Sequence, residues 1–160
     1  MGVPDYYVTW EQYHQLIEAL AWQVYRSGWE FDQILAIARG GLRIGDTLSR
    51  MFRKPLAIIS AQSYVGQQRG VVQIASAITA TQPRLGPRLL VVDDMVDSGQ
   101  TLAKIVQSLL AQTDLAALKT AVLWVKGHSC FRPDYYVEFL PDNPWIHQPF
   151  ERYDHWQFDP

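Results

Sequence analysis

Apolar runs without alternation constrain the fold of this chain more than any other feature of its sequence. They lie at residues 34–38, 56–59, 89–92, 121–125 and 135–139. A strand that is buried on both faces forms such a run, whereas a half-exposed strand alternates apolar and polar residues. The runs therefore predict the strands of a mostly parallel sheet that is covered on both faces.

Segments with helical spacing separate these runs. Thr9 and Gln12 match the pattern of a capping box. Apolar residues then recur every three or four positions over 13–24, and comparable patterns lie over 42–52 and 102–110. Strands that alternate with helices predict an α/β protein with a doubly wound sheet flanked by helices.

Composition bounds the size of the protein and its partners. With 160 residues, 48% of them hydrophobic, we expect a single domain over 1–160. Its 14 basic and 16 acidic residues are interspersed, so we expect no nucleic-acid partner. Cys130 is the only cysteine, which excludes an intramolecular disulfide. The four histidines lack the spacing of a zinc motif, and we interpret them as structural or surface residues.

The N-terminal sequence and the hydropathy pattern favour a cytoplasmic protein. The first ten residues lack the basic start and apolar run of a secretory leader. No window approaches the roughly 18 apolar residues of a transmembrane helix. We therefore expect neither export nor a membrane span.

The stretch LLVVDDMVDSGQTL, residues 89–102, runs from an apolar strand into a turn and then a helix. In a parallel sheet, ligands bind at the edge where the carboxyl ends of the strands meet. Free amides at the N-terminus of the following helix, together with the hydroxyls of Ser98 and Thr101, favour a small phosphate group. Gly99 and Gln100 complete this turn, and the glycine lets the backbone approach the ligand closely.

Three carboxylates surround the phosphate turn: Asp93 and Asp94 precede it, and Asp97 opens it. Carboxylates at a strand end accept hydrogen bonds from vicinal hydroxyls or help to hold Mg²⁺. A sugar phosphate would satisfy both halves of the stretch. For each residue alone a structural alternative stays open, in which Asp93 or Asp94 caps the turn and Asp97 or Ser98 caps the helix.

This stretch resembles the phosphoribosyl-pyrophosphate motif of the type I phosphoribosyltransferases. Other segments resemble the bacterial xanthine-guanine phosphoribosyltransferases and related 6-oxopurine enzymes of that family. They are YVTW near the start, ARGGL at 38–42, Ser63-Tyr64 with Arg69, VK at 125–126 and PWIHQPF at 144–150. The resemblance implies a type I phosphoribosyltransferase fold with a small hood formed by the N-terminal and C-terminal segments. It also implies a mobile loop at about 61–75.

By the same resemblance, the loop of Arg39, Gly40 and Gly41 binds pyrophosphate, and Arg69 adds a second contact when the mobile loop closes. A fork of guanidinium donors and accessible backbone amides suit phosphate oxygens. Taken alone, the arginine and the two glycines fit an ordinary turn, and Arg69 fits a surface residue.

The resemblance also assigns roles around the acidic turn. Asp93 and Asp94 orient the ribose hydroxyls, with Asp94 the contact to Mg²⁺. Asp97 faces N7 of the purine as proton acceptor or donor, and the residues from Ser98 to Thr101 bind the 5′-phosphate. Gln100 departs from the pattern, since many relatives have a small residue there.

Three further residues are implied to bind the purine. Lys126 donates to the oxygen at C6, Trp145 packs on the base, and the backbone carbonyl of Ile146 accepts from the C2 substituent. The chemistry agrees, because an aromatic face suits a flat heterocycle and a cation prefers an oxo group to an amino group. Without this context, Lys126 fits a lysine at a sheet edge, and Trp145 fits an anchor for the tail.

These assignments predict an enzyme that transfers the phosphoribosyl group of phosphoribosyl pyrophosphate to a 6-oxopurine. We expect Mg²⁺ as its cofactor and a homo-oligomer, either a dimer or a tetramer, as its assembly. One alternative is a nucleotide-sensing regulatory protein of the same fold without turnover. A second is a receiver-type phosphoacceptor domain, which places its acidic pair on the first strand. The order of carboxylates in this chain differs from that arrangement.

Overall fold

The computed structural model describes residues 2–63, 72–75 and 77–158. Helices and strands follow one another in the order β1 (Tyr6–Tyr7), α1 (Trp10–Arg26), β2 (Gln33–Ala38), α2 (Leu42–Phe52), β3 (Leu56–Ser63), β4 (Val72–Ile74), β5 (Arg88–Val92), β6 (Met95–Val96), α3 (Gln100–Gln112), β7 (Ala117–Lys126), β8 (Tyr135–Leu140) and β9 (Ile146–His147). A 3-10 helix, Pro149–Tyr153, follows β9. The predicted alternation of strands and helices is confirmed over most of the chain.

The central sheet is mostly parallel, as predicted. Its strands lie in the order β4, β3, β2, β5, β7, and β8 pairs with the far side of β7. Of these pairs only β3 with β4 is antiparallel. The short β6 continues β5 along the same edge of β7. Arg88 of β5 pairs with Ala117, and Met95 of β6 pairs with Trp124, so the pairing register does not change. The ladder thus passes Asp93 and Asp94 without losing register.

Successive residues of the central strands face two separate hydrophobic layers, because side chains alternate across a strand. One layer contains Ala36 and Leu90 with the inner faces of α1 and α2. The other contains Leu35 and Leu89 with the inner face of α3. Helices therefore cover both faces of the sheet, which confirms the doubly wound α/β class.

The first helix begins where its sequence predicts. The Thr9 hydroxyl accepts from Gln12 N at 3.2 Å, and the Gln12 side chain accepts from Thr9 N at 2.9 Å. This capping box satisfies two donors at the start of α1. The second helix lies unusually close to the sheet, since a Cβ at Gly45 would stand 2.6 Å from the Ala36 Cβ.

The two ends of the chain meet in a second, two-stranded sheet. β1 and β9 pair in parallel, with Tyr6 opposite Ile146. Tyr6 N donates to Trp145 O at 2.7 Å, and Val8 N donates to His147 O at 3.0 Å. The division into hood and core stays a prediction, as does the mobile loop at about 61–75, where residues 64–71 lie outside the described part. In the described ranges, no helix has the length and apolar character needed to cross a bilayer.

Candidate active site

The candidate site lies between the carboxyl ends of β2 and β5. These strands are neighbours, but the chain leaves β2 for β3 on one side and later enters β5 on the other. Such a switch point opens a crevice in which α/β proteins bind ligands. The loops after β2 and β5 line a cavity of about 590 Å³ there. The sequence of 97–101 therefore lies where a phosphate group can enter.

The phosphate turn owes its shape to Gly99. This residue has φ of 87°, and a Cβ on it would stand 2.6 Å from the Phe131 Cβ. Gly99 is also the N-cap of α3, so neither Asp97 nor Ser98 occupies the cap position. The Ser98 hydroxyl instead accepts from Gln100 N at 3.3 Å. Gln100 is exposed and lines the cavity together with Thr101.

Two glycines bring the loop after β2 against the acidic turn. A Cβ on Gly40 would stand 2.6 Å from the Asp94 carboxylate, and one on Gly41 would collide with the Val92 carbonyl oxygen. Larger residues would therefore push the two loops apart. The neighbouring Arg39 has an 88% exposed side chain and lies 4.0 Å from Asp154 at its nearest contact. The peptide bond before Arg39 is cis.

Asp93 and Asp94 form a close pair at the end of β5. Asp94 N donates to the Asp93 carboxylate at 2.9 Å, and Met95 N donates to the Asp94 carboxylate at 2.7 Å. Burial, and then the negative charge of Asp94, raise the pKa of Asp93 well above its usual range. The structural alternative is thus partly correct, because both side chains brace the turn. Their remaining lone pairs are left for a ligand.

The acidic pair has a partner that sequence reasoning missed. Gln148, only 6% exposed, donates from its side-chain amide to Asp94 Oδ2. Within the described ranges, the side-chain amide oxygen of Gln148 and the hydroxyl of Tyr13 are buried without a hydrogen-bond partner. Burial and the charge of Asp94 raise the pKa of Tyr13. The only sequence signal for Gln148 is its place in PWIHQPF.

The acidic pair fits a divalent cation that arrives with further ligands. Among the residues that the structure describes, no three His, Cys, Asp or Glu side chains gather into a metal cluster. Mg²⁺, however, is commonly held by one or two carboxylates together with water and substrate phosphates. Burial and then the charge of Asp94 raise the pKa of Asp93, and a bound cation would favour the charged carboxylate against both effects.

A second group of side chains gathers at the end of β7. Lys126 is only 5% exposed, and its Nζ lies 3.6 Å from Asp97 Oδ1. The same Nζ lies 5.7 Å from the ring centroid of Trp145, a residue that is 60% exposed. A buried ammonium, a carboxylate and an exposed indole face thus meet at the edge of the phosphate turn.

The backbone of β9 completes this group. Trp145 and His147 direct their carbonyl oxygens toward β1. Since carbonyls alternate along a strand, the carbonyl of Ile146 between them points away from β1. The Ile146 side chain is buried, with 2% exposure.

His128, interpreted from the sequence as a structural or surface residue, also belongs to the site. Its Nε2 lies 2.5 Å from Asp97 Oδ1. Among the predicted residues, Arg69 lies outside the described part of the chain. All the others lie in the loops after β2 and β5, at the start of α3, at the end of β7 or in the adjacent β9 segment.

The fold and the site together define an α/β protein in which a glycine-containing turn lines a cavity at the switch point of a parallel sheet. The family model of the phosphoribosyl transferase domain matches residues 9–155, and the chain belongs to this family. The resemblance predicted from residues 89–102 is therefore confirmed, as is the prediction of an enzyme of the phosphoribosyltransferase type.

Individual relatives support the same assignment. The chain is 29% identical over 154 residues to the xanthine-guanine phosphoribosyltransferase of Idiomarina loihiensis, a match that covers 95% of this chain and 90% of the relative. The purine phosphoribosyltransferase of Pyrococcus horikoshii Ot3 superposes with a TM-score of 0.75 at 29% identity, over 99% of this chain and 97% of that one. The xanthine-guanine-hypoxanthine phosphoribosyltransferase of Helicobacter pylori superposes with a TM-score of 0.78 over 94% and 95% of the two chains. At 22% identity, that last match supports the fold alone.

Proposed function

We propose that this protein transfers the phosphoribosyl group of 5-phosphoribosyl 1-pyrophosphate to N9 of a 6-oxopurine, namely guanine, xanthine or hypoxanthine. The products are a purine nucleoside monophosphate and pyrophosphate. The observation that carries this proposal is the group of Lys126, Asp97 and Trp145 beside the phosphate turn, with contacts of 3.6 Å and 5.7 Å from the lysine Nζ. It offers a purine site next to a sugar-phosphate site.

The sugar phosphate is held by the turn after β5. In this assignment the 5′-phosphate binds the amides and hydroxyls from Ser98 to Thr101, at the N-terminus of α3. The carboxylates of Asp93 and Asp94 accept hydrogen bonds from the ribose hydroxyls. Ligand hydroxyls and a cation would offset the burial and the repulsion by Asp94 that raise the pKa of Asp93.

The pyrophosphate binds the loop after β2. Gly40 and Gly41 hold this loop close to the acidic turn because neither has a Cβ, and the exposed guanidinium of Arg39 supplies charge. Arg69 is assigned as a second contact by family resemblance. Asp94, with Asp93 beside it, would hold Mg²⁺, which neutralises charge on the pyrophosphate oxygens when it is bound.

The purine stacks on Trp145 with its C6 edge toward Lys126. An ammonium only donates hydrogen bonds, so Lys126 favours the oxo group of a 6-oxopurine over the amino group of adenine. The outward carbonyl of Ile146 accepts from the C2 substituent. Selectivity against adenine thus follows from the Lys126 side chain, and the Ile146 carbonyl adds a contact for a base with an amino group at C2, such as guanine.

Catalysis requires stabilisation of opposite charges at two ends of one bond. The ribose C1 passes through an oxocarbenium-like state, while negative charge grows on the departing pyrophosphate. Arg39 and the glycine amides stabilise that negative charge. Asp97 accepts the proton of N7 as N9 bonds to C1, so its carboxylate must be close to the base and able to gain a proton.

A direct assay tests this function. The protein is mixed with Mg²⁺, phosphoribosyl pyrophosphate and one base at a time, and monophosphate is followed by chromatography. We expect product with at least one of guanine, xanthine and hypoxanthine, and little with adenine. Inert mixtures with all three would reject the transferase. If calorimetry then showed tight binding of nucleotide, the sensing alternative would replace it.

A role in purine salvage, a cytoplasmic location and a homo-oligomeric state belong to the same proposal. The salvage role follows from the reaction, because it converts a free base into a nucleotide. Sedimentation velocity over a range of protein concentrations tests the oligomer, and a concentration-independent monomer would reject it.

A further inference from the structure

We infer that His128 is a positioning residue for Asp97 and that protonation of its imidazole governs the pH dependence of the transfer. This inference rests on the proposed function, because Asp97 is the proton acceptor there. It adds a residue that the family resemblance does not assign. The observation behind it is the contact of 2.5 Å between His128 Nε2 and Asp97 Oδ1.

The backbone around His128 is fixed from two sides. On one side, His128 N donates to the Asn143 side chain at 3.0 Å, and Gly127 N donates to Leu140 O at 2.9 Å. On the other side, Cys130 N donates to Ser98 O at 2.9 Å, which joins this turn to the phosphate turn. These hydrogen bonds therefore join the turn to the acidic loop and hold the imidazole against it.

A glycine makes this arrangement possible. A Cβ at Gly127 would stand 2.6 Å from the Pro141 carbonyl oxygen. The turn after β7 consequently packs against the turn after β8, and His128 projects from that contact toward the site. The position of the imidazole beside Asp97 is therefore set by the packing of these two turns.

Two side-chain nitrogens lie near one carboxylate oxygen. Asp97 Oδ1 lies 2.5 Å from His128 Nε2 and 3.6 Å from Lys126 Nζ. The His128 side chain is 48% exposed, whereas that of Lys126 is 6% exposed. Asp97 and Lys126 are the charged groups on this side of the imidazole, and Asp142, next to Asn143, is the charged residue of the opposing turn.

A bound purine changes the balance between the two partners. Once Lys126 donates to the oxygen at C6, its interaction with Asp97 weakens, and His128 becomes the main partner of the carboxylate. A neutral imidazole still donates one hydrogen bond and keeps the carboxylate in place. A protonated imidazole holds Asp97 in its charged form and makes it a poorer proton acceptor.

The proton step then has a defined course. The N7–H bond breaks and its proton moves to Asp97, while the electrons of that bond stay in the purine ring. N9 forms its bond to C1 of the ribose, and the C1–O bond breaks with its electron pair leaving on pyrophosphate. Protonation of His128 opposes the first of these changes, so transfer should slow as the pH falls and the imidazole gains a proton.

Substitution by glutamine separates hydrogen bonding from charge. His128→Gln retains a donor but does not titrate, whereas His128→Ala removes both. We expect the wild-type protein to lose kcat on the acidic side between pH 8 and 5, and His128→Gln to lack that limb, with kcat at about pH 7.5 within about threefold of wild type. His128→Ala should lower kcat by about threefold to tenfold, with little change in KM for phosphoribosyl pyrophosphate. His14→Gln, an exposed histidine of α1, is the matched control.

Two results would overturn the inference: an acidic limb that persists in His128→Gln, or a wild-type profile without that limb. A second measurement does not depend on turnover. In the NMR titration of the free protein, Asp97→Asn should move the change in the His128 ring signals to lower pH. An active protein in which that titration is unchanged would reject the positioning role. An inert protein in which it does move would reject the transferase and leave only the contact.

Discussion

Replacing Lys126 with methionine isolates the charge that the proposed purine site uses. The methionine chain is similar in length to the lysine stem, so it fills the 5%-exposed position without a cavity. Only the ammonium, 3.6 Å from Asp97 and 5.7 Å from the Trp145 ring centroid, is lost. The substitution therefore tests the donor to the oxygen at C6 more than it tests packing.

The size of the effect follows from the buried position of this ammonium. A hydrogen bond from a charged group contributes about 1.5–3 kcal/mol. Since every 1.4 kcal/mol is a factor of ten, kcat/KM for the 6-oxopurine should fall by about 10-fold to 140-fold. The KM for phosphoribosyl pyrophosphate should change by less than about twofold, because that substrate binds at the other loops.

Steady-state kinetics with each base in turn, at saturating phosphoribosyl pyrophosphate, measures this change. Lys104→Met, an exposed lysine of α3, is the control and should leave both constants unaffected. Unchanged base preference in Lys126→Met would refute the assignment. A large rise in KM for phosphoribosyl pyrophosphate instead would place Lys126 at the other substrate.

Two further predictions concern stability. Gly99→Ala should lower the free energy of unfolding in urea more than Gly28→Ala does. Both glycines have positive φ, which costs an alanine about 1–2 kcal/mol, but only at position 99 would the new Cβ collide with Phe131. Equal losses in the two variants would contradict the steric reason. The hydrogen bond from Arg88 lowers the pKa of Asp32. Asp32 therefore contributes stability above its unfolded pKa of about 4, and that stability is lost as the pH falls through the lower folded value. Urea unfolding between about pH 5 and pH 2 should show a shallower acid loss for Asp32→Asn than for wild type, and equal slopes would argue against the ion pair.

The sequence predicts best those features that depend on neighbouring residues. The apolar run before Asp93 and the turn to Thr101 are contiguous, so strand, phosphate turn and helix are all visible in one stretch. Similarly, the capping box at Thr9 joins residues three positions apart. Local pattern and structure agree in these cases because the same few residues determine both.

Contacts between distant segments are what the sequence does not reveal. The contact of His128 with Asp97 spans 31 residues, and that of Gln148 with Asp94 spans 54. The spacing of single histidines or glutamines does not predict such contacts, because they depend on how the turns after β7 and β9 pack. The placement of Arg69 depends likewise on a segment outside the described residues.

Strand lengths show a second reason for error. β7 begins at Ala117, whereas the apolar run predicts residue 121. Lys119 and Thr120 interrupt the apolar run. Thr120 can nevertheless be buried, because its hydroxyl and its backbone amide both donate to the Asp134 carboxylate. A satisfied polar residue inside a strand hides the strand from a reading of hydropathy alone. The two-residue strands β1, β6 and β9 are too short to form a pattern.

The most direct test of the transferase compares wild type with Asp97→Asn in two measurements on the same preparations. One is kcat for monophosphate formation from phosphoribosyl pyrophosphate and the preferred 6-oxopurine. The other is Kd for that monophosphate by calorimetry. A general acid or base contributes about 10²-fold to 10⁴-fold, so kcat should fall by at least about 100-fold while Kd stays within about threefold. Equal losses in kcat and in binding, or a wild-type protein without turnover, would contradict the account.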